Sequence, residues 1–186
     1  MFRIGKWLGF DTESVYEDGL TALNRHDYEA AAQAFKTCIE TGTQESTVRL
    51  ARFHLAECYS QFAEEEYRHA EYEKAWDEIE LSFALAHPTA ERHLLAARIA
   101  RRLGNRDEAT SHLDSALTMA PEHTQALALQ VAAWYEEGRT DEAISHAAAL
   151  RDDEGRHEQF LTAHRQGDRN AALGYLLALA STSGHS

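Results

Sequence analysis

Apolar and polar positions along this chain follow a helical period. Small or apolar residues recur in groups of three: an alanine, the residue four later, and the residue seven later. The alanines are Ala31, Ala75, Ala109, Ala143 and Ala172. The residues four later are Phe35, Ile79, Leu113, Ala147 and Leu176. Those seven later are Cys38, Ser82, Ala116, Leu150 and Leu179. Positions i, i+4 and i+7 share one face of an α-helix, so each group predicts one helix with one buried stripe. Gly104 and Gly138 lie 34 residues apart, and each precedes its alanine by five. Self-similarity at such a period marks a repeat architecture.

The pattern predicts five helix pairs over about 12–44, 45–88, 89–122, 123–152 and 153–181. Residues 1–11 form an apolar, basic arm, and 182–186 a disordered tail. In each pair the first helix should end at a residue in the left-handed region: Gly104, Gly138, Gly167, His26 or Ala70. A capping residue should then open the second helix: Asp27, Asn105, Asp168, and Thr140 one place later. Asn105-Arg-Asp-Glu108 has the outline of a capping box. Alanine suits the point where the two helices cross, because a larger side chain would hold them apart.

These features resemble the tetratricopeptide repeat, a 34-residue helix–turn–helix unit. The third copy has Ala97, Gly104, Ala109 and Pro121 at the family's small, Gly, Ala and Pro places. The fourth keeps Gly138 and Ala143, with Trp134 where the family prefers Tyr. The first keeps Gly19, Tyr28, Ala31 and Phe35. The resemblance spans about 12–181 and implies an all-α, right-handed solenoid of about five helix pairs. Two copies depart from the period. In the second, Leu55-Ala56 and Tyr59 lie seven residues too far upstream of Ala75. Seven residues is two turns, which predicts a first helix over about 45–68. In the last, Gly138 to Gly167 is five residues short of the period.

Composition agrees with the pattern. Alanine accounts for 32 residues, against 3 Val, 5 Ile and 2 Pro, which excludes an all-β fold and disfavours a parallel sheet. The net charge is −13, so general nucleic-acid binding is not expected. Two cysteines, Cys38 and Cys58, match no zinc or redox spacing and read as free and buried. No run is long and apolar enough to span a membrane, and residues 1–10 lack the features of a secretory signal. The expected location is cytoplasmic. The preference for Arg and Ala suits a high-GC bacterial genome.

No catalytic motif, phosphate loop or nucleophile elbow occurs, and no enzyme activity, metal or cofactor is expected. His54 and Cys58 share a helix face, but no further ligands accompany them, and the reading is a groove-facing His with a packed Cys. Residues 92–106 hold five Arg and no acid. The family's groove-facing places fall on Leu94, Arg98, Arg101 and Arg102 in the third copy, Leu129 and Tyr135 in the fourth, and His164 and Arg165 in the fifth. The resemblance therefore implies a peptide-binding groove. Its arginines would grip a carboxylate-bearing segment, and Leu94, Leu129 and Tyr135 would supply apolar contact. This set differs from the family's Lys- and Asn-based carboxylate clamp. A second reading pairs the arginines with the chain's own acids, since residues 57–80 carry nine acids and two bases.

The last helix, 171–180, carries no charge. Leu173, Leu176, Leu177 and Leu179 cover more than one stripe, and two readings follow. One is a homodimer face. The other is a core helix whose outer side is only Gly174 and Ala178. The arm, with Phe2, Ile4, Trp7, Leu8 and Phe10, is expected to pack or stay disordered rather than bind membrane. The functional expectation is a non-catalytic protein- or peptide-binding adaptor. A self-assembling subunit and a metal-binding or enzymatic accessory are the alternatives.

Overall fold

A computed structural model describes residues 12–148, 150 and 155–181. The expected arm, 1–11, and tail, 182–186, lie outside these residues. Among the described residues there are ten helices and no strand. They are α1 (Thr12–Asn24), α2 (Tyr28–Thr41), α3 (Glu45–Arg68), α4 (Tyr72–Leu85), α5 (Ala90–Leu103), α6 (Arg106–Met119), α7 (Thr124–Glu136), α8 (Thr140–Ala147), α9 (Arg156–Arg165) and α10 (Arg169–Ser181). The long α3 covers the range that the displaced signature requires.

The chain divides after Pro88 into two compact units. In the first, α1 packs on α2, α2 on α3, and α3 on α4. In the second, α5 packs on α6, α6 on α7, and α7 on α8, while α10 packs on both α9 and α7. All fifteen residues of the five periodic groups are buried, from Ala31 and Phe35 to Leu176 and Leu179. Leu150 is buried although α8 ends at Ala147, three residues earlier than the periodicity implies. In the first pair the two helices cross closely. A Cβ added to Gly19 of α1 would lie 2.6 Å from Cε1 of Phe35, a ring with no exposed surface.

The five turns within pairs share one geometry. His26, Ala70, Gly104, Gly138 and Gly167 all have positive φ, from 59° to 83°. In each case the next residue's N–H donates to the carbonyl five back: Asp27 to Ala22, Glu71 to Glu66, Asn105 to Ala100, Arg139 to Trp134, Asp168 to Ala163. The left-handed residue donates to the carbonyl three back. This pair of bonds is the Schellman motif, and it satisfies carbonyls the helix end leaves open.

The starts of the second helices are less uniform than expected. The Asp27 carboxylate accepts from Ala30 N–H at 3.1 Å, and Asp168 from Ala171 N–H at 3.0 Å. Asn105 stands at the cap position of α6 but accepts no cap bond, so no capping box forms. Thr140 is the first residue of α8 rather than its cap, and its hydroxyl donates to the Gly138 carbonyl at 3.4 Å. Arg139 instead reaches forward to the Glu142 carboxylate, with Nη2 to Oε1 at 2.9 Å.

Buried polar chemistry is sparse. Cys38 and Cys58 are free and have no exposed surface. Burial pushes the Cys58 thiol up to about 11, so it is a packing residue rather than a nucleophile. Between α5 and α6, Nδ1 of His93 lies 2.9 Å from Nδ1 of His112. A single proton fits between two ring nitrogens so placed, because one must accept. Desolvation lowers the pKa of both rings, with the neighbouring imidazole a second cause for His93 and Glu108 opposing for His112. His54 is lowered by desolvation too, against Glu57.

Three outcomes follow. Gly19→Ala should lower stability. A rigid overpacked contact costs about 1–3 kcal/mol, against about 1 kcal/mol gained in helix propensity. A melting temperature equal to or above wild type would show that Phe35 yields. Ala70→Gly should raise stability by about 1 kcal/mol by removing an alanine's left-handed strain, read as a shift in denaturant midpoint. Three histidines with folded pKa values below their ordinary 6.5 bind protons more readily when unfolded. Stability should thus be constant above about pH 6.5 and fall as pH drops below it. In melting curves from pH 7.5 to 5.5, His93→Gln/His112→Gln should show the shallower decline; equal slopes would clear the pair of any role.

Candidate functional site

The candidate site is built on α5, α7 and α9 of the second unit. α5 begins with a true cap, Thr89, whose hydroxyl accepts from Arg92 N–H at 3.3 Å. Its last turn places Arg101 and Arg102 against the negative end of the helix dipole, a favourable position for cations. Arg98 and Arg101 are half-buried and Arg102 is exposed. Arg101 forms a hydrogen-bonded ion pair with Glu136 at the end of α7. The acid that holds it therefore lies on α7 of its own unit, not in the acidic 57–80 stretch that the sequence offered.

The apolar part of the expected groove is not a surface. Leu94, Leu129 and Tyr135 are 5%, 3% and 4% exposed and belong to one hydrophobic cluster with Leu113, Phe160 and Leu176. They pack the unit rather than offering contact to a ligand, which corrects the expectation. The physical reason is the covering of Tyr135. Phe160 of α9 meets its ring edge-on at 5.4 Å, and His164 does so at 5.8 Å. The Tyr135 hydroxyl lies 3.2 Å from Nδ1 of His164. The space lined by Ala97, Arg101, Leu129 and Glu136 is about 40 Å³. That is room for a few water molecules.

One residue of this cluster escaped the sequence reading. Arg169, first in α10, sets its guanidinium 5.3 Å from the centre of the Tyr135 ring. Its Nη2 donates to the carbonyls of Tyr135 at 2.7 Å and Glu136 at 3.2 Å. It thus satisfies the open end of α7 while stacking on it. No local signal marks Arg169, because its partners are 33 and 34 residues away. Arg165 is exposed on α9, one residue after His164.

The expected self-association face is also largely internal. Leu176 and Leu179 are 0% and 1% exposed, and Leu173 and Leu177 are partly buried against the same cluster. The exposed side of α10 there is Gly174 and Ala178. α10 spends its apolar surface on α7 and α9, so Leu176 and Leu179 are not available to a second copy.

In the first unit, the His54 ring stacks on Phe35 at 5.3 Å and approaches Tyr16, while Cys58 is sealed in the core. Among the described residues, no group of three or more His, Cys, Asp or Glu side chains could hold a metal ion. No described helix is long and apolar enough to cross a membrane.

No protein-family model matches the sequence, and no curated protein matches it. The fold does match solved structures. The crystal structure of YrrB, a TPR protein with an unusual peptide-binding site, aligns with a TM-score of 0.56 at 18% identity. The alignment covers 89% of this chain and 82% of YrrB. A crystal structure of MamA aligns with a TM-score of 0.55 at 15% identity over 88% of this chain and 87% of MamA. A second MamA structure gives 0.53 at 17% identity over 87% and 91%. With ten helices among the described residues in five Schellman-turned pairs, and every periodic triad buried, the chain has the fold of the tetratricopeptide-repeat family.

Proposed function

We propose that this protein is a non-catalytic adaptor that binds a protein or peptide partner through the α5 surface of its second unit. The observation that supports this reading is the arginine content of that surface. Arg98 and Arg102 sit one helical turn apart on α5, next to Arg101, in a protein of net charge −13. A guanidinium presents a planar fork of donors that matches a carboxylate, which lysine does not. The partner segment therefore carries a carboxylate, and the contact is polar, since Leu94, Leu129 and Tyr135 are withdrawn into the core. The likeness in fold to YrrB, a TPR protein with an unusual peptide-binding site, agrees with this class of work. Nucleic acid is a poor partner for so acidic a chain.

Arg101 plays a supporting part in this scheme. Its ion pair with Glu136 ties the end of α5 to the end of α7 and leaves neighbouring Arg102 at the surface. Arg102 is exposed and Arg98 half-buried, and polar contacts of side chains open to solvent contribute about 0–1 kcal/mol each, so changes at these two arginines should cost little stability. Arg98→Glu/Arg102→Glu should lose the partners that wild type captures from source-cell lysate, with its melting temperature within a few degrees of wild type. An unchanged partner list would sink the arginine site. Unfolding of the double variant would make the arginines structural.

A further inference from the structure

We infer that the first unit carries a second docking site, on α3 and the end of α4, for an amphipathic segment with two apolar anchors flanked by carboxylates. The inference rests on the reading of this protein as a peptide binder but uses a different surface. An open groove of about 700 Å³ is lined by Arg49, Leu50, Arg52 and Phe53 of α3 and by the stretch from Phe83 to Pro88. Leu50 and Phe53 are 47% and 46% exposed, two of only four large apolar side chains so exposed among the described residues. Leu81 and Met119, the other two, do not line the groove.

The placement along α3 gives the groove its selectivity. Leu50 and Phe53 are three residues apart, and so are Arg49 and Arg52. Residues three apart lie on one helix face, so an apolar stripe and a cationic stripe run side by side along the axis. Phe83, Leu85 and Pro88 add further apolar lining. Arg49 and Arg52 are exposed, and neither has an ion-pair partner among the described residues. This is unusual for a unit whose next stretch, 57–80, holds nine acids and two bases. Arginines amid so many acids, yet unpaired beside exposed Leu and Phe, complement a segment with apolar side chains on one face and acids beside them.

Charge also decides between occupants. The chain's own apolar segment, residues 1–11, contains Arg3 and Lys6 and a single acid, Asp11. Its sign is wrong for the arginine stripe. A second copy would set the same two arginines against each other across a two-fold contact.

The test uses the full chain and fluorescein-labelled 12-residue peptides read by anisotropy. One peptide carries Leu and Phe at helical spacing with Glu beside them. A second replaces the Glu with Lys, and a third replaces Leu and Phe with Ser. The Glu peptide should bind saturably, and the other two at least tenfold more weakly. Arg49→Glu/Arg52→Glu should reverse the preference between the Glu and Lys peptides, and Leu50→Ser/Phe53→Ser should lose both. Arg98→Glu/Arg102→Glu should bind the Glu peptide as wild type does, which separates this groove from the α5 site. Absence of saturation at about 1 mM, or equal binding of the Glu and Lys peptides, overturns the inference. Removal of residues 1–10 that raises affinity tenfold or more assigns the groove to the chain's own segment and overturns it as well. So does a dimer in sedimentation that Leu50→Ser/Phe53→Ser dissolves.

Discussion

The close crossing of two helices within each pair is the constraint on which the rest depends. Ala31, Ala75, Ala109, Ala143 and Ala172 all lie buried on the second helices of their pairs. A side chain with no reach beyond Cβ lets two backbones approach, and only then do the residues four and seven later enter the same core. In the first pair Gly19 is set against the Phe35 ring. The turn between helices is equally restrictive. A left-handed residue and two reciprocal hydrogen bonds reverse the chain in a fixed geometry, so each second helix returns antiparallel to the first. His26 and Ala70 show that the geometry outweighs the preference for glycine: both accept a positive φ.

Packing decides where charge can act. Because small and apolar residues fill each stripe, most acids and arginines are left to the outer faces; Arg92 of α5, 3% exposed, is an exception. In the second unit the arginines of α5 are partly consumed, Arg101 by Glu136. Arg169 is spent on the end of α7 and the face of Tyr135. In the first unit a basic and apolar stripe opens on α3 at the start of a strongly acidic stretch. Both surfaces present guanidinium forks, whose planar donors match a carboxylate. They differ in what surrounds these forks: polar side chains on α5, exposed Leu and Phe on α3.

The candidate site was legible in the sequence only in its charged part. Arg98 and Arg102 could be placed on α5 from periodicity and the family's groove positions. The apolar part failed because those positions presume that the concave side stays open. Here α9 brings Phe160 and His164 over Tyr135, and α10 packs on α7 as well as on α9. That covering depends on the fifth pair, whose first helix, the short α9, follows a short α8. Leu176 and Leu179 were drawn inward by the same packing, which is why an uncharged helix leaves only small residues outside.

By itself the sequence determined the helix pairs, their left-handed turns and the buried triads. All three arise from local rules: a 3.6-residue period, the sterics of positive φ, and side-chain volume at a crossing. The span of α3 belongs to the same group, since a seven-residue shift preserves a helix face. Only the tertiary structure decided the seating of α10 on α7, the partner of Arg101 and the role of Arg169. Each of these joins residues far apart in the chain, and no periodicity encodes them. It also decided which apolar residues stay at the surface. Leu94 and Leu50 are the same residue type on first helices of their pairs, yet one is buried and the other exposed. What covers a helix face is another helix, and that choice is made by the whole fold.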